Sequence, residues 1–129
     1  MIKGKTIACV IPARLKSTRF PEKIIQNLKG KPVVQWVWEK AHECGFFDEI
    51  IIAIDDFKTL KIVEKFSAKA CMTDPLLPSG TMRLIAAKEI LDKKFDYWLN
   101  WQADEPLLPK DMILDLINSI DECLSLIHI

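Results

Sequence analysis

Neither sign of charge is in excess in this sequence. Its 18 basic and 18 acidic side chains cancel, which counts against a general nucleic-acid or membrane surface, since either shows as a surplus of cations. Any recognition of an anion must then be local. No run approaches the roughly 20 apolar residues of a membrane helix. Glycine is scarce, with 4 in 129 residues, and neither glycine-rich phosphate motif, GxxxxGKS/T nor GxGxxG, is present. Histidine is limited to His42 and His128. With no cysteine or serine partner in view, neither suggests a nucleophilic centre. The cysteines, Cys9, Cys44, Cys71 and Cys123, lack the short spacings of a zinc site. Three of them lie in apolar runs and read as reduced core thiols, which fits a cytosolic compartment.

What is present is an alternation of apolar β-rich runs with helical patterns. The start, MIKGKTIACVIPAR, is basic and then apolar, as a secretion signal is. Its apolar run is short, however, and is broken by Pro12-Ala13-Arg14 without a suitable cleavage site, so a buried first strand over Thr6–Ile11 is expected. Pro32 suits the first turn of a helix carrying Val33, Val37, Ala41 and Cys44, with Gly45 as its stop. Glu49–Ile54 reads as the second strand, and Leu60, Val63 and Phe66 mark the next helix. Lys69–Met72 is a short third strand. Ser79 suits the cap of a helix with apolar positions Met82, Ile85, Ala86 and Ile90. Tyr97–Trp101 is the fourth strand, and Pro109 opens a last helix. No repeat, low-complexity stretch or linker interrupts the series. This βαβαβαβα pattern predicts an α/β fold, a Rossmann-like three-layer sandwich around a mainly parallel sheet. Right-handed winding gives strand order 3-2-1-4, with a ligand crevice at the carboxyl ends of the first and fourth strands.

Three segments stand where that fold places chemistry. The first is VIPARLKSTRFPEK at 10–23, with Arg14, Lys16, Arg19 and Lys23 following a buried strand. Arginine grips phosphate with paired hydrogen bonds and lysine offers a point charge, so side chains here would replace the missing glycine amides. The plain alternative is a solvated basic turn. The second is QADEP at 102–106. Adjacent strands lie about 4.8 Å apart, so Asp104 should face the basic loop, where a carboxylate beside a triphosphate suits Mg²⁺. Its alternative is an acidic turn that caps the following helix. The third is PSGTMR at 78–83, whose small residues at a helix start permit close approach of a ligand to backbone amides, or merely cap the helix.

Together these segments resemble the CMP-Kdo synthetase family, the 3-deoxy-manno-octulosonate cytidylyltransferases. The matching stretches are IPARLKSTRFPEK at 11–23, LKGKPVVQWVWEKA at 28–41, CMTDPLLPSGTMRL at 71–84 and WQADEPLL at 101–108. The resemblance implies a nucleotide-diphospho-sugar transferase-like fold and the transfer of CMP from CTP to Kdo, with release of pyrophosphate, for lipopolysaccharide biosynthesis in the cytoplasm. Carried over by motif, Arg14, Lys23 and Asp104 would be catalytic, with Asp104 holding Mg²⁺. Ser17 and Arg19 would also touch substrate, as would Ser79, Gly80, Thr81, Arg83 and Gln102. The pattern is broken at Ala103, where glycine is usual, at Met82 in place of an acidic residue, and at Leu76-Leu77 in place of an Asp-His pair.

Members of that family continue for about as long again, and the second half supplies sugar-pocket residues, a further metal-binding Asp and homodimer contacts. Residues 1–124 are therefore expected to be the N-terminal, nucleotide-binding part of a single cytidylyltransferase domain, truncated and nearly inactive alone. The last residues, LSLIHI at 124–129, coincide with the in-frame translation of a transposon end used in preparing sequencing libraries, and are expected to be a non-native tail. Without the second half, the fourth strand is expected to form an exposed sheet edge. The rival readings are a cytidylyltransferase for another acidic sugar (sialic-acid-like or amino-Kdo), a non-catalytic nucleotide-binding domain, or an interaction module using that edge. CTP and an acidic sugar are the expected partners, with no nucleic acid and no membrane.

Overall fold

The computed structural model describes residues 4–15, 23–77, 80–103, 111–112, 114–115 and 126–128. Strand β1 (Ile7–Ala13) is followed by a 3-10 turn (Lys23–Ile25) and a small hairpin, β2 (Asn27–Leu28) and β3 (Lys31–Pro32). Then come α1 (Val33–Cys44), β4 (Glu49–Ile54), α2 (Phe57–Lys65), β5 (Ala70–Met72), α3 (Gly80–Leu91), β6 (Tyr97–Asn100) and β7 (Leu126–His128). The main sheet runs β5-β4-β1-β6-β7, and every pairing in it is parallel. Its first four strands reproduce the expected 3-2-1-4 order.

Two departures concern the sheet. β6 was expected at the edge, but Leu126–His128 pairs along its outer side, with Trp98 opposite Leu126. The backbone of a tripeptide satisfies the open hydrogen-bonding groups of a strand edge whatever its origin. The hairpin at 27–32 was not anticipated. Lys29 and Gly30 both take positive φ, 52° and 92°, as a two-residue hairpin turn requires. The Asn27 side chain accepts from the Gly30 amide at 2.8 Å.

The alternation of side chains along β1 divides the core in two. Ile7, Cys9, Ile11 and Ala13 pack with Val34, Val37 and Ala41 of α1 and Val63 of α2. Ala8 and Val10 pack on the other face with Leu84 and Ala87 of α3 and with Trp98. Helices thus cover both faces, and every residue of β1 is buried. Helix α1 ends at Gly45 in the left-handed region, φ 76°, as its sequence suggested, while Pro32 is its extended N-cap rather than a residue of its first turn. Cys9, Cys44 and Cys71 are buried thiols in no disulfide. Burial pushes the Cys9 thiol well up and the Cys71 thiol up to about 11, so both stay protonated and inert.

Helix α3 turns a different face inward from the one expected. Arg83, Leu84 and Ala87 are buried, whereas Met82, Ile85 and Ile90 are exposed. Apolar residues occur all around this helix, so their spacing does not define a face. The buried polar contacts of Arg83, described below, fix its rotation instead.

Two aspartates clip the start of β1 to its neighbours. The Ile7 amide donates to Asp48 Oδ2 at 2.7 Å, just before β4. The Thr6 amide and hydroxyl donate to Asp96 Oδ2 at 2.8 and 3.0 Å, just before β6. The Thr6 hydroxyl also accepts from the Asp96 amide at 3.0 Å. The amide bond from Thr6, and then its hydroxyl, hold the Asp96 carboxyl below its ordinary 3.8. A depressed carboxylate stabilises the fold fully above its unfolded value and loses that contribution as pH falls through the folded one. Urea unfolding between about pH 3 and pH 6 should therefore show stability declining toward acid. In Asp96→Ala part of that slope should vanish, and an identical slope in the variant would contradict the clip.

Candidate functional site: a cleft at the carboxyl ends of three strands

Three strands end side by side, and each releases a polar segment at the same rim. β1 is followed by Arg14 and Leu15, β4 by Asp55 and Asp56, and β5 by Thr73, Asp74, Pro75 and Leu76. A cleft of about 410 Å³ opens there, lined by Arg14, Leu15, Asp55, Asp56, Pro75 and Leu76. This is within the range of small-molecule sites, about 300–1,000 Å³. Arg14 and Leu76 are exposed, so the cleft carries an exposed cation on one wall and an apolar lip on the other.

The acidic residues of the cleft are committed to the protein. Asp56 caps α2, accepting from the Lys58 amide at 2.8 Å. Asp55 Oδ1 accepts from the Leu15 amide at 3.1 Å, and its other oxygen lies 3.7 Å from Arg83 Nη2. Asp74 Oδ1 accepts from the Leu76 amide at 2.9 Å, and its carbonyl accepts from the Leu77 amide at 3.2 Å. That local turn presents Pro75 and Leu76 at the rim.

Beneath the cleft lies Arg83, with only 1 % of its surface exposed. Its Nη1 donates to Thr73 Oγ1 at 2.6 Å and to the Asp74 carbonyl at 3.2 Å. Nη2 reaches the Leu77 carbonyl at 3.5 Å. Thr73 in turn donates its hydroxyl to the Ile54 carbonyl at 2.8 Å. Burial lowers the Arg83 pKa, Asp55 and Asp74 act against that shift, and the nearby Arg14 adds to it.

The cytidylyltransferase family model matches residues 8–124. The chain belongs to the cytidylyltransferase family. The 3-deoxy-manno-octulosonate cytidylyltransferase of Thermodesulfovibrio yellowstonii is 44% identical over 116 residues, covering 85% of this chain and 46% of the relative. That of Vibrio parahaemolyticus is 43% identical over 112 residues, covering 86% and 44%. The chain thus spans a little under half the length of these relatives. Among solved structures, a CMP:2-keto-3-deoxy-manno-octonic acid synthetase complexed with CTP superimposes with a TM-score of 0.82 at 34% identity, over 88% of this chain and 46% of that one. A Leptospira borgpetersenii cytidylyltransferase shares the fold, with a TM-score of 0.75 at 18% identity, over 90% of this chain and 49% of that one.

Within this cytidylyltransferase framework the anticipated residues separate. Arg14 lines the cleft. Lys23 opens the 3-10 turn, and Gly80 and Thr81 open α3. Gln102 is half-buried just beyond β6, beside a buried Ala103. Arg83, anticipated against a ligand, is buried beneath the cleft with the contacts described above. Ser17, Arg19, Ser79 and Asp104 lie outside the described residues. The cleft lies on the β4 and β5 side of β1; the crevice anticipated between β1 and β6 is bounded by 16–22 and 104–110, which lie outside the described residues. Asp55 and Thr73 were not singled out, although both directly follow strands at the carboxyl rim, which is the signal that would have found them.

Thr73 offers a clean test of this frame. Thr73→Val keeps the shape but removes one donated and one accepted hydrogen bond beside a buried guanidinium. It should cost about 1–3 kcal/mol in urea unfolding, and Thr73→Ser should restore most of that loss.

Proposed function

We propose that this chain is the nucleotide-binding part of an enzyme that transfers CMP from CTP to Kdo and releases pyrophosphate. One observation carries the reading: Arg14, the first cation of the 10–23 segment, lines a ligand-sized cleft at the carboxyl ends of the strands. The names of the relatives, and the CTP in the solved synthetase, support the choice of nucleotide and sugar.

In this reading the anomeric hydroxyl oxygen of the sugar bonds to the α-phosphorus of CTP. The bond from that phosphorus to the bridging oxygen breaks, pyrophosphate leaves with the electron pair, and the hydroxyl proton passes to solvent. Arg14, Arg19 and Lys23 hold the triphosphate and offset the charge that grows on the leaving group. Ser17, Ser79, Gly80, Thr81 and Gln102 line the substrate sites. Arg83 acts from beneath, by holding the 73–77 segment. Among the described residues no cluster of three or more His, Cys, Asp or Glu could hold a metal, and Asp55 and Asp56 are already engaged. The resemblance of the QADEP segment to the family assigns Mg²⁺ to Asp104, a hard oxygen donor of the kind that ion prefers. Bound there, Mg²⁺ would supply charge neutralisation at the phosphates.

We assign the full-length form to the cytoplasm, as a homodimer serving lipopolysaccharide synthesis, and the segment alone to near inactivity. No helix among the described residues is long and apolar enough to cross a membrane.

The test uses a full-length chain carrying this segment. Pyrophosphate release is measured with CTP, Mg²⁺ and a panel of acidic sugars. Kdo should support turnover, preference for a sialic-acid-like or amino-Kdo sugar would reassign the acceptor, and silence with every sugar would remove the synthetase reading. Asp104→Asn should lower the rate about 100-fold or more with folding intact. Lys23→Ala should weaken CTP binding about 10-fold, as expected for a lost charge-assisted phosphate contact.

A further inference from the structure

Every residue lining the cleft comes from one of three loops, and all three loops meet on a single buried ion pair. Arg83 Nη1 holds the loop after β5 through Thr73 Oγ1 and the Asp74 carbonyl. Its Nη2 faces Asp55, the first residue after β4, at 3.7 Å. Asp55 passes the connection to the loop after β1 by accepting from the Leu15 amide at 3.1 Å. The two carboxylate oxygens therefore have different tasks, one toward a cation and one toward a backbone N–H. The side chains of Arg83 and Asp55 are 1 % and 6 % exposed, so solvent cannot substitute for either partner.

Leu15 is covalently adjacent to Arg14, the cation of the cleft. Fixing the Leu15 amide limits where the Arg14 backbone can point. Arg14 also lies near enough to Arg83 for repulsion between the two cations. A cation that cannot fold back toward the buried guanidinium is directed outward, into the cleft.

We propose that Asp55 and Arg83 are a positioning pair that sets the loop after β1 and thereby aims Arg14 at the phosphates of the bound nucleotide. The last clause rests on the nucleotide reading given above; the coupling of the pair to the loop does not. Neither residue needs to touch the ligand. A purely structural pair would lower the stability of the whole sheet evenly, whereas a positioning pair releases one loop selectively.

Two measurements separate these cases on the full-length chain. The first is amide hydrogen exchange in the absence of nucleotide. In Arg83→Met, the Leu15 amide should exchange at least about 10-fold faster. The Ile52 amide, bonded to the Lys69 carbonyl at 2.9 Å within the sheet, should keep its protection. Asp55→Asn removes the charge while retaining an acceptor for the Leu15 amide, and serves if the first variant fails to fold. It should accelerate Leu15 less, about 3-fold. Leu15 exchange that stays tied to that of Ile52 in both variants would overturn the proposal.

The second measurement is affinity for CTP and for cytidine. Each variant should weaken CTP binding about 10-fold and leave cytidine binding within about 2-fold, because the lost contact is to phosphate. In an Arg14→Ala background, the further change at Arg83 should cost less than about 2-fold, since the two residues act on one contact. Additive losses would overturn the link from the pair to Arg14. A parent chain that binds no CTP would remove the nucleotide reading, and Leu15 exchange would still decide whether the pair governs the loop.

Discussion

The burial of β1 on both faces and along both edges is the constraint on which the other elements depend. Its seven residues, Ile7–Ala13, ladder with β4 on one side and β6 on the other. Odd positions meet α1 and α2, and even positions meet α3. A strand so enclosed cannot slip by one residue without exchanging the two core faces. Its register therefore fixes the heights of its neighbours. The aspartate clips at Asp48 and Asp96 pin that register at the amino end, and the Trp101 amide, bonded to the Val10 carbonyl at 3.0 Å, extends it toward the carboxyl end. The cleft inherits its geometry from this alignment, because its three loops begin where three registered strands stop.

Much of this was legible in the residues. Continuous apolar runs announced buried parallel strands, Pro32 and Gly45 bounded α1, and the order of elements led to the strand order. Helix α3 was misjudged because its apolar residues lie on every side. The face turned inward is chosen by a charged residue, Arg83, and apolar periodicity is blind to that choice. The hairpin at 27–32 was overlooked because its turn places a lysine, Lys29, in a left-handed conformation that glycine or asparagine more often adopts. The pairing of Leu126–His128 with β6 depends on backbone groups, which no side-chain pattern reports.

The site was only partly legible. Arg14 stands at the cleft, as a cation after the first strand should. The ion pair beneath it was not seen, because Asp55 lies in none of the three segments singled out and becomes the partner of Arg83 only through the fold. Motif reading assigns residues to ligands one by one, and it passes over those that serve other residues. The scarcity of glycine has a bearing here: with no glycine-rich loop to set this rim, the Leu15 amide bound to Asp55 fixes part of it.

The convergence of three loops on one buried ion pair also restricts how this sheet rim can change over evolutionary time. An insertion after β5 displaces Thr73 or Asp74 and leaves Arg83 with unused donors in a dry environment. Loss of the acid after β4 strands the same cation. Substitutions at these positions are therefore expected to be tolerated in combination and penalised singly, so the three loops would vary as one inherited unit. Pro75 and Leu76 stand outside that bargain. Their side chains belong to the rim and none bonds the guanidinium, which leaves the apolar lip free to diverge while the frame beneath it stays in place.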